Sequence, residues 1–178
     1  MAVIAARKRP VLDARARFVL AFFAFAAVGL ALYCFPYGEF GIRETFFNAF
    51  LSGYARLAGA VIALFDPTAV AVGTEIHGQY AVRIVKGCDA MEAKILFVSA
   101  VLAFPTALWH RLLAAGAGLL ALTSLNVLRI ASLYYAGMAF PKLVEVLHLE
   151  IWPLVLVVFA ALLFLWFATL ASDRAEAS

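Results

Sequence analysis

Charged residues are scarce in this chain. They make up 14% of its 178 residues, whereas 66% of the residues are hydrophobic. A soluble domain has about 25% charged and about 45–50% apolar residues. A water-soluble fold could not bury this much apolar surface, so the composition excludes an ordinary soluble domain and predicts a protein embedded in lipid. The length predicts one integral-membrane domain over residues 1–178.

Cysteine is also rare, and the two residues present are Cys34 and Cys88. Two cysteines give no disulfide framework, and no Cys-x-x-Cys pair or Cys/His cluster indicates a metal site. We therefore expect neither a metal nor a cofactor. Cys34 falls inside a long apolar run without polar neighbours, which favours a purely structural role. That run, residues 18–38, is too long for the apolar region of a typical signal peptide and no Ala-x-Ala cleavage site follows it, which predicts an uncleaved signal anchor.

Four apolar stretches are candidates for membrane spans. A helix needs about 20 apolar residues to cross about 30 Å of hydrocarbon. The stretches are 18–38, 95–109 with an earlier start near Cys88, 112–140, and 151–172. They predict an all-α polytopic membrane protein with about four transmembrane helices.

Two further elements are predicted between the first two spans. Polar residues recur every fourth position along 45–65, which is typical of an amphipathic helix that lies in the interface or re-enters instead of crossing. Apolar residues alternate along 69–86 on both sides of His77–Gly78, which predicts a small β-hairpin with its turn at that pair. Such a hairpin must lie outside the hydrocarbon, because open sheet edges are not tolerated within it.

Basic residues are concentrated in the N-terminal tail, residues 1–17, which holds five of the fourteen. We interpret this as a topology signal and not as a nucleic-acid site, so the tail should be cytoplasmic. The basic pair His110–Arg111 is predicted to form the next cytoplasmic connection. Cys88 then lies outside, and 45–65 should not cross. The expected location is the inner membrane, multi-pass, with the site on the periplasmic face.

Three chemically capable residues meet on that outer face: Cys88, Arg129 and His148. An arginine at the centre of a membrane helix costs about 2.5–3.5 kcal/mol, so Arg129 is a functional candidate, although it could also be an anchor that reaches to the interface. Asn126 precedes it by three residues on nearly the same helix face. His148 could act as a general base or acid, or be an ordinary loop histidine.

Cys88 alone is a weak candidate, because a free cysteine is often an inert buried residue. Its context favours a reactive thiolate, since Gly87 permits close backbone approach and the start of a helix with a nearby cation stabilises negative charge. Asp89 and Glu92 oppose this unless they pair with Arg129 or another cation such as Lys94.

The combination of Gly87-Cys88, the run Asn126-Val127-Leu128-Arg129-Ile130 and then His148 resembles the exosortase/archaeosortase family, and most of all the compact exosortase H subgroup. The motif-bearing core covers about residues 88–150. The resemblance implies a membrane cysteine transpeptidase that cleaves a C-terminal sorting tail on the outer face through a Cys88 thioester.

The resemblance also implies the roles of individual residues and of partners. Cys88, Arg129 and His148 would be catalytic, with Asn126, Glu92 and Gly87 supporting them. The substrates would be proteins that end in a short motif, a transmembrane helix and a basic end, and the acceptor is not identified. This chain departs from the family where Asp89-Ala90 follows the cysteine in place of Ser-Gly or Thr-Gly, and it has fewer spans than fuller members.

Two other classes of function are open at this point. A non-enzymatic membrane transport or assembly subunit would use Arg129 to bind an anion or a partner helix, with Cys88 incidental. An intramembrane protease would cleave by hydrolysis without transfer to an acceptor.

Overall fold

A computed structural model describes residues 13–35 and 42–176. The elements in chain order are α1 (Ala14–Cys34), α2 (Ile42–Ala63), β1 (Val70–Val72), β2 (Glu75–His77), β3 (Val82–Arg83), α3 (Met91–Ala103), α4 (Leu108–Ala139), a 3₁₀ turn (Pro141–Leu143), α5 (Val144–Val146), a π-helical turn (Leu147–Ile151) and α6 (Trp152–Glu176). Most of the predicted N-terminal tail, residues 1–12, and the end of the first predicted span, residues 36–38, lie outside the described residues.

Four of the described helices are long and apolar enough to cross a membrane. They are Ala14–Cys34, Phe46–Ala63, Leu108–Ala139 and Pro141–Asp173. The described residues thus confirm the prediction of a mostly helical protein, and the length and composition of these helices are consistent with a membrane-embedded one. The set differs from the predicted one, because α2 meets the length requirement and the predicted span 95–109 does not.

The predicted span 95–109 is wrong in its bounds. The helix there, α3, has 13 residues and ends at Ala103, so it is about 20 Å long. Pro105 follows two residues later, and proline cannot continue a helix. His110–Arg111 is likewise not a loop, since both residues belong to the first turn of α4. Arg111 donates from Nη1 to the oxygen of Leu102 at 2.9 Å and so satisfies a carbonyl at the end of α3.

α3 is the centre of the bundle and packs against α1, α4 and α6. The Phe18 ring at the start of α1 lies 6.4 Å from that of Phe104, just beyond the end of α3, so these two helices are antiparallel. Asn126, in the last half of α4, donates to the oxygen of Cys88 just before α3, so this pair is antiparallel too. The end of α1, the second half of α4 and the beginning of α3 therefore lie at one end of the bundle, called here the Cys88 end.

α2 begins and ends at the Cys88 end. Near its beginning, the Phe47 ring lies 6.1 Å from that of Tyr33 at the end of α1. Near its end, the oxygen of Ile62 accepts a hydrogen bond of 3.0 Å from the hydroxyl of Tyr135 in the last turns of α4. Although α2 is long enough to cross a membrane, both of its ends lie on one side of the bundle.

The predicted hairpin over 69–86 is a three-stranded antiparallel sheet in the order β1-β2-β3. The expected reversal after His77 joins β2 to β3, but a second turn at Gly73 joins β1 to β2. Gly73 has a φ of +59°, and a glycine with positive φ at the first position is typical of a tight type II′ hairpin turn. The alternating pattern therefore predicted the extended backbone but missed this reversal.

A buried carboxylate ties α2, the sheet and α4 together. Asp66, which is 1% exposed, accepts hydrogen bonds from the hydroxyls of Thr68 at 2.6 Å and Tyr134 at 2.5 Å. These donors, Thr68 first, lower the pKa of Asp66 to about 2 from its ordinary value of 3.8. The network fixes the sheet against α4 beside the region where the candidate residues meet.

Candidate active site

Three residues that are distant in sequence are in contact at the Cys88 end. The sulfur of Cys88 lies 3.8 Å from Nε2 of His148, 60 residues later. Arg129, which is 19 residues before His148, places Nη2 at 3.4 Å from Nδ1 of that ring and donates to its main-chain oxygen at 3.2 Å. The structure therefore brings together all three residues that the sequence proposed as catalytic.

The segment that carries Cys88 is a turn between β3 and α3. Its main-chain N–H donates to the oxygen of Val85 at 2.9 Å, and α3 begins only at Met91. The expectation that Cys88 itself starts the helix is therefore wrong by three positions. Gly87 and Ala90 on either side have φ values of +95° and +55°. Positive φ is unfavourable for a residue with a Cβ, and such backbone conformations are concentrated at functional sites.

Gly87 serves this turn through its backbone conformation. A Cβ at this position would have no atom within 4 Å, so the expected close backbone approach is not present. The requirement for glycine comes from the φ of +95°. Its N–H also donates to the hydroxyl of Tyr33 at 3.2 Å, which anchors the turn to α1.

Asp89, beside the nucleophile candidate, is fully buried. Its carboxylate accepts from the hydroxyl of Tyr33, at 3.1 Å to each oxygen, and from the N–H of Met91 at 3.3 Å. Lys94 donates to the main-chain oxygen of Asp89 and to Tyr54, and not to the carboxylate. Neither Arg129 nor Lys94 therefore pairs with the Asp89 side chain among the described residues, and its hydrogen-bond donors are the hydroxyl of Tyr33 and the N–H of Met91.

Glu92 takes no direct part in this arrangement. It lies in the first turn of α3 with its side chain exposed, and it is not among the residues that line the cavity beside Cys88. Its predicted supporting role is therefore not accompanied by a contact with Cys88, Arg129 or His148 among the described residues. Any influence on the site would act through its charge at a distance.

Arg129 and Asn126 share the buried face of α4. Arg129 is 3% exposed, so its guanidinium does not reach out to the interface as an anchor would. Asn126 donates from Nδ2 to the oxygen of Cys88 at 2.8 Å and holds the turn in place. Nε of Arg129 and Oδ1 of Asn126 are buried without a hydrogen-bond partner among the described residues. Unpaired buried groups of this kind are costly unless a ligand or water completes them.

His148 lies in the π-helical turn Leu147–Ile151 and not in a loop. π-helical turns are rare and are frequent at functional sites. A guanidinium nitrogen can only donate, so its contact with Nδ1 requires that Nδ1 be unprotonated. While Arg129 makes this contact, His148 is neutral, carries its proton on Nε2 and directs that proton at the sulfur of Cys88.

A cavity of about 250 Å³ opens beside these residues. Its lining includes Cys88, Arg129 and His148 together with residues 80–84, which contain β3. A larger space of about 520 Å³ lies between α4 and α6 near His110, and its lining is almost entirely apolar. The reactive groups line the smaller cavity, so the smaller cavity, and not the larger apolar space, is the candidate active site.

Cys34 is the clearest departure among the predicted residues. It is the last residue of α1 and is exposed, whereas Cys88 is buried. The sequence placed Cys34 deep in an apolar run because the end of the helix could not be seen from composition. Both cysteines therefore lie at the same end of the bundle.

Sequence reasoning named Lys94 only as a possible partner of the Asp89 or Glu92 side chain, and it missed the support that Lys94 and Tyr33 give to the turn. Lys94 is 4% exposed inside an apolar helix, and a lysine in such a place signals a buried polar partner. Tyr33 gave no comparable signal, since tyrosine near a helix end is usual at membrane interfaces.

Comparison with protein-family models, curated proteins and solved structures gives no match for this chain. Arguments about function therefore rest on the residues and their geometry.

Proposed function

We propose that this chain is a membrane-embedded cysteine transpeptidase similar to the exosortases, with Cys88 as its nucleophile. The observation that carries the proposal is the chain of contacts from Cys88 to His148 to Arg129 at the edge of a cavity. A thiol, an imidazole and a buried cation in contact are the groups that thioester chemistry requires. The resemblance in the motifs supports the same assignment.

The resting geometry suggests the role of each group. The main-chain N–H of Cys88 is engaged by Val85, so it is not free to stabilise an oxyanion. Arg129 keeps a buried Nε without a partner, and we assign the oxyanion to this guanidinium. His148 carries the proton on Nε2 next to the sulfur and is assigned to proton transfer.

In the first step the Cys88 thiolate attacks the scissile carbonyl, forms a thioester and breaks the peptide C–N bond. Arg129 turns from Nδ1 of His148 to the carbonyl oxygen, which frees Nδ1. The departing amine takes the proton from Nε2. Nδ1 takes up a proton from solvent, which balances the one that the Cys88 thiol lost to solvent when it ionised. In the second step an acceptor amine or water attacks the thioester, gives its proton to Nε2 and releases the Cys88 thiolate. Nδ1 then returns its proton to solvent and Arg129 contacts Nδ1 again, which restores the starting state.

The proposed substrates are proteins that carry a C-terminal sorting tail of a short motif, a transmembrane helix and a basic end. The proposed orientation has the N-terminal tail in the cytoplasm and the Cys88 end on the periplasmic face of the inner membrane. The basic N-terminal residues support this direction. Because both ends of α2 lie at the Cys88 end, we propose that α2 remains at that face.

The test uses reporter proteins with such tails, co-expressed with the chain, and follows cleavage of the tail. Cys88→Ala should abolish processing of any reporter that the wild-type chain processes. Cys34→Ala is the matched control, because it removes the other cysteine without touching the site, and it should process at the wild-type rate. Processing by Cys88→Ala at an undiminished rate contradicts the proposal.

Mass analysis of the product separates transfer from hydrolysis. A C-terminus joined to another molecule indicates transpeptidation, whereas a free carboxylate indicates an intramembrane protease. If Cys88→Ala and Arg129→Ala both leave every reporter unchanged, the transport or assembly subunit becomes the better hypothesis.

A further inference from the structure

β3 is one of the two edge strands of the sheet, and one side of its backbone is unpaired in the sheet. The N–H of Ile84 donates to the oxygen of Thr74 at 2.8 Å, and Val82 is paired with Ile76 of β2. Main-chain groups alternate in direction along an antiparallel strand. Those of Ala81 and Arg83 therefore point away from β2, towards the free edge.

This edge is accessible. Ala81 and Arg83 are both exposed, and the Arg83 side chain is held over the sheet by Glu75, with Nε at 2.6 Å from Oε1. Native proteins usually cover or protect such edges, because unpaired N–H and C=O groups are a template for another extended chain. Here five consecutive residues along the edge, residues 80–84, line the cavity that contains Cys88.

We propose that the extended motif of the substrate binds as a fourth strand along the free edge of β3 and thereby places its scissile carbonyl at Cys88. This inference rests on the proposed function and specifies how that site holds its protein substrate. The sheet would supply main-chain hydrogen bonds to any sequence, and the cavity would select the side chains that fit, as in other strand-addition complexes.

The chemistry of the edge favours an extended polypeptide over other ligands. A lipid chain has no groups to pair with the free N–H and C=O of Arg83, and a helix has already used its own. The cavity of about 250 Å³ is smaller than the roughly 300–1,000 Å³ of a typical small-molecule site. It suits a short piece of extended chain that continues beyond it in both directions.

The unpartnered Nε of Arg129 fits the same arrangement. Arg129 lines this cavity together with the strand residues. A peptide paired with β3 would run between the strand and α4, so a carbonyl that projects from it towards α4 would meet the guanidinium. Strand pairing would then set the register in which one peptide bond lies next to the sulfur.

A proline substitution tests the main-chain pairing. Arg83→Pro removes the N–H that faces the free edge, and proline is tolerated on edge strands when its nitrogen faces outward. Arg83→Ala is the matched control, because it removes the same side chain and its contact with Glu75 but keeps the N–H. With a reporter that the wild-type chain processes, we expect Arg83→Pro to be at least about tenfold slower than Arg83→Ala.

Disulfide trapping tests the geometry without requiring activity. Ala81→Cys in a Cys34→Ser, Cys88→Ala background gives one cysteine on the free edge. The reporter receives single cysteines at successive positions of the segment before its transmembrane helix. Crosslinking yield should alternate with a period of two, as for paired strands.

The outcomes separate the two hypotheses. If Cys88→Ala stops processing but Arg83→Pro equals Arg83→Ala, or if crosslinking shows no alternation or a period of three to four residues, strand pairing is wrong and the catalytic proposal stands. If Cys88→Ala still processes the reporter, the catalytic proposal fails whatever the crosslinking shows. If Arg83→Pro does not accumulate in the membrane, the crosslinking pattern alone decides.

Discussion

Arg129 contacts His148 twice, since Nη2 lies 3.4 Å from the ring nitrogen Nδ1 and 3.2 Å from the main-chain oxygen. One group of the guanidinium thus fixes both the ring and the backbone of the π-helical turn. The same side chain is buried and keeps a second donor, Nε, without a partner. A single residue can therefore orient the histidine and stabilise charge on a substrate oxygen.

We expect Arg129→Lys to reduce the rate of reporter processing by at least about a hundredfold. An ammonium has one nitrogen, so it cannot hold His148 as Nη2 does and also supply a second donor where Nε lies. The loss of one oxyanion donor alone costs about 10²–10³ in rate. The measurement is a pulse-chase rate of tail cleavage. Arg56→Lys, on the exposed side of α2, is the control and should retain the wild-type rate. A lysine variant that keeps more than half of the rate would refute the assignment.

A second prediction concerns the backbone of the nucleophile turn. Gly87 has a φ of +95° and open space where a Cβ would stand, so Gly87→Ala should cost about 1 kcal/mol or more through backbone strain alone. It should also slow processing, because the turn positions Cys88. Gly116→Ala is the matched control, since that site in α4 also has open space but an ordinary helical φ.

Gly116→Ala should be neutral or slightly stabilising, because alanine favours a helix over glycine by about 1 kcal/mol. Thermal unfolding in detergent and the processing rate are the two measurements. Equal effects of the two substitutions on both would show that the conformation of Gly87 does not position the thiol.

The proximity of Cys88, Arg129 and His148 could be predicted from the sequence because the order and direction of the apolar segments placed all three at one face. Arg129 interrupts an apolar helix, and Asn126 lies on the same face of it. Cys88 and His148 fall where consecutive antiparallel elements must turn at one end of a bundle. These signals depend on hydrophobicity and helix direction, which a sequence displays directly.

The errors share a different cause. The length of α3, the second turn of the sheet and the exposure of Cys34 depend on where single elements stop, and short-range signals such as Pro105 or Gly73 were outweighed by the apolar pattern. The support from Tyr33 comes from a side chain 56 residues before Asp89. No periodicity in one sequence links two such positions, so only the folded structure reveals this contact.

The exposure of Cys34 leads to a prediction about topology. Both cysteines lie at the same end of the bundle, with Cys34 exposed and Cys88 buried. In the proposed orientation, a membrane-impermeant maleimide should label both from the periplasmic side and neither from the cytoplasmic side. Labelling should be faster in Cys88→Ser, where Cys34 remains, than in Cys34→Ser, where Cys88 remains.

Spheroplasts and inverted vesicles provide the two sides, and mass shift on a gel gives the extent of labelling. Labelling of the two single-cysteine variants from opposite sides would contradict the antiparallel packing of α1 and α3. Labelling of both from the cytoplasmic side would leave the packing intact and reverse the proposed orientation.

The last prediction concerns Asp66, which lies outside the helices and joins the sheet to α4. Hydrogen bonds from Thr68 and Tyr134 lower its pKa to about 2, so the folded state favours the ionised carboxylate. A depressed folded pKa contributes stability that is complete above the ordinary value of 3.8 and is lost as the pH falls towards about 2. We expect Asp66→Asn to remove this part of the acid sensitivity, so that its unfolding temperature in detergent falls less between pH 6 and pH 2.5 than that of the wild type. Asp173→Asn is the control, because Asp173 is an exposed carboxylate near the end of α6. Its unfolding temperature should fall between pH 6 and pH 2.5 by as much as that of the wild type. If the unfolding temperatures of Asp66→Asn and Asp173→Asn fell by the same amount, the Asp66 network would not stabilise the sheet at this end of the bundle.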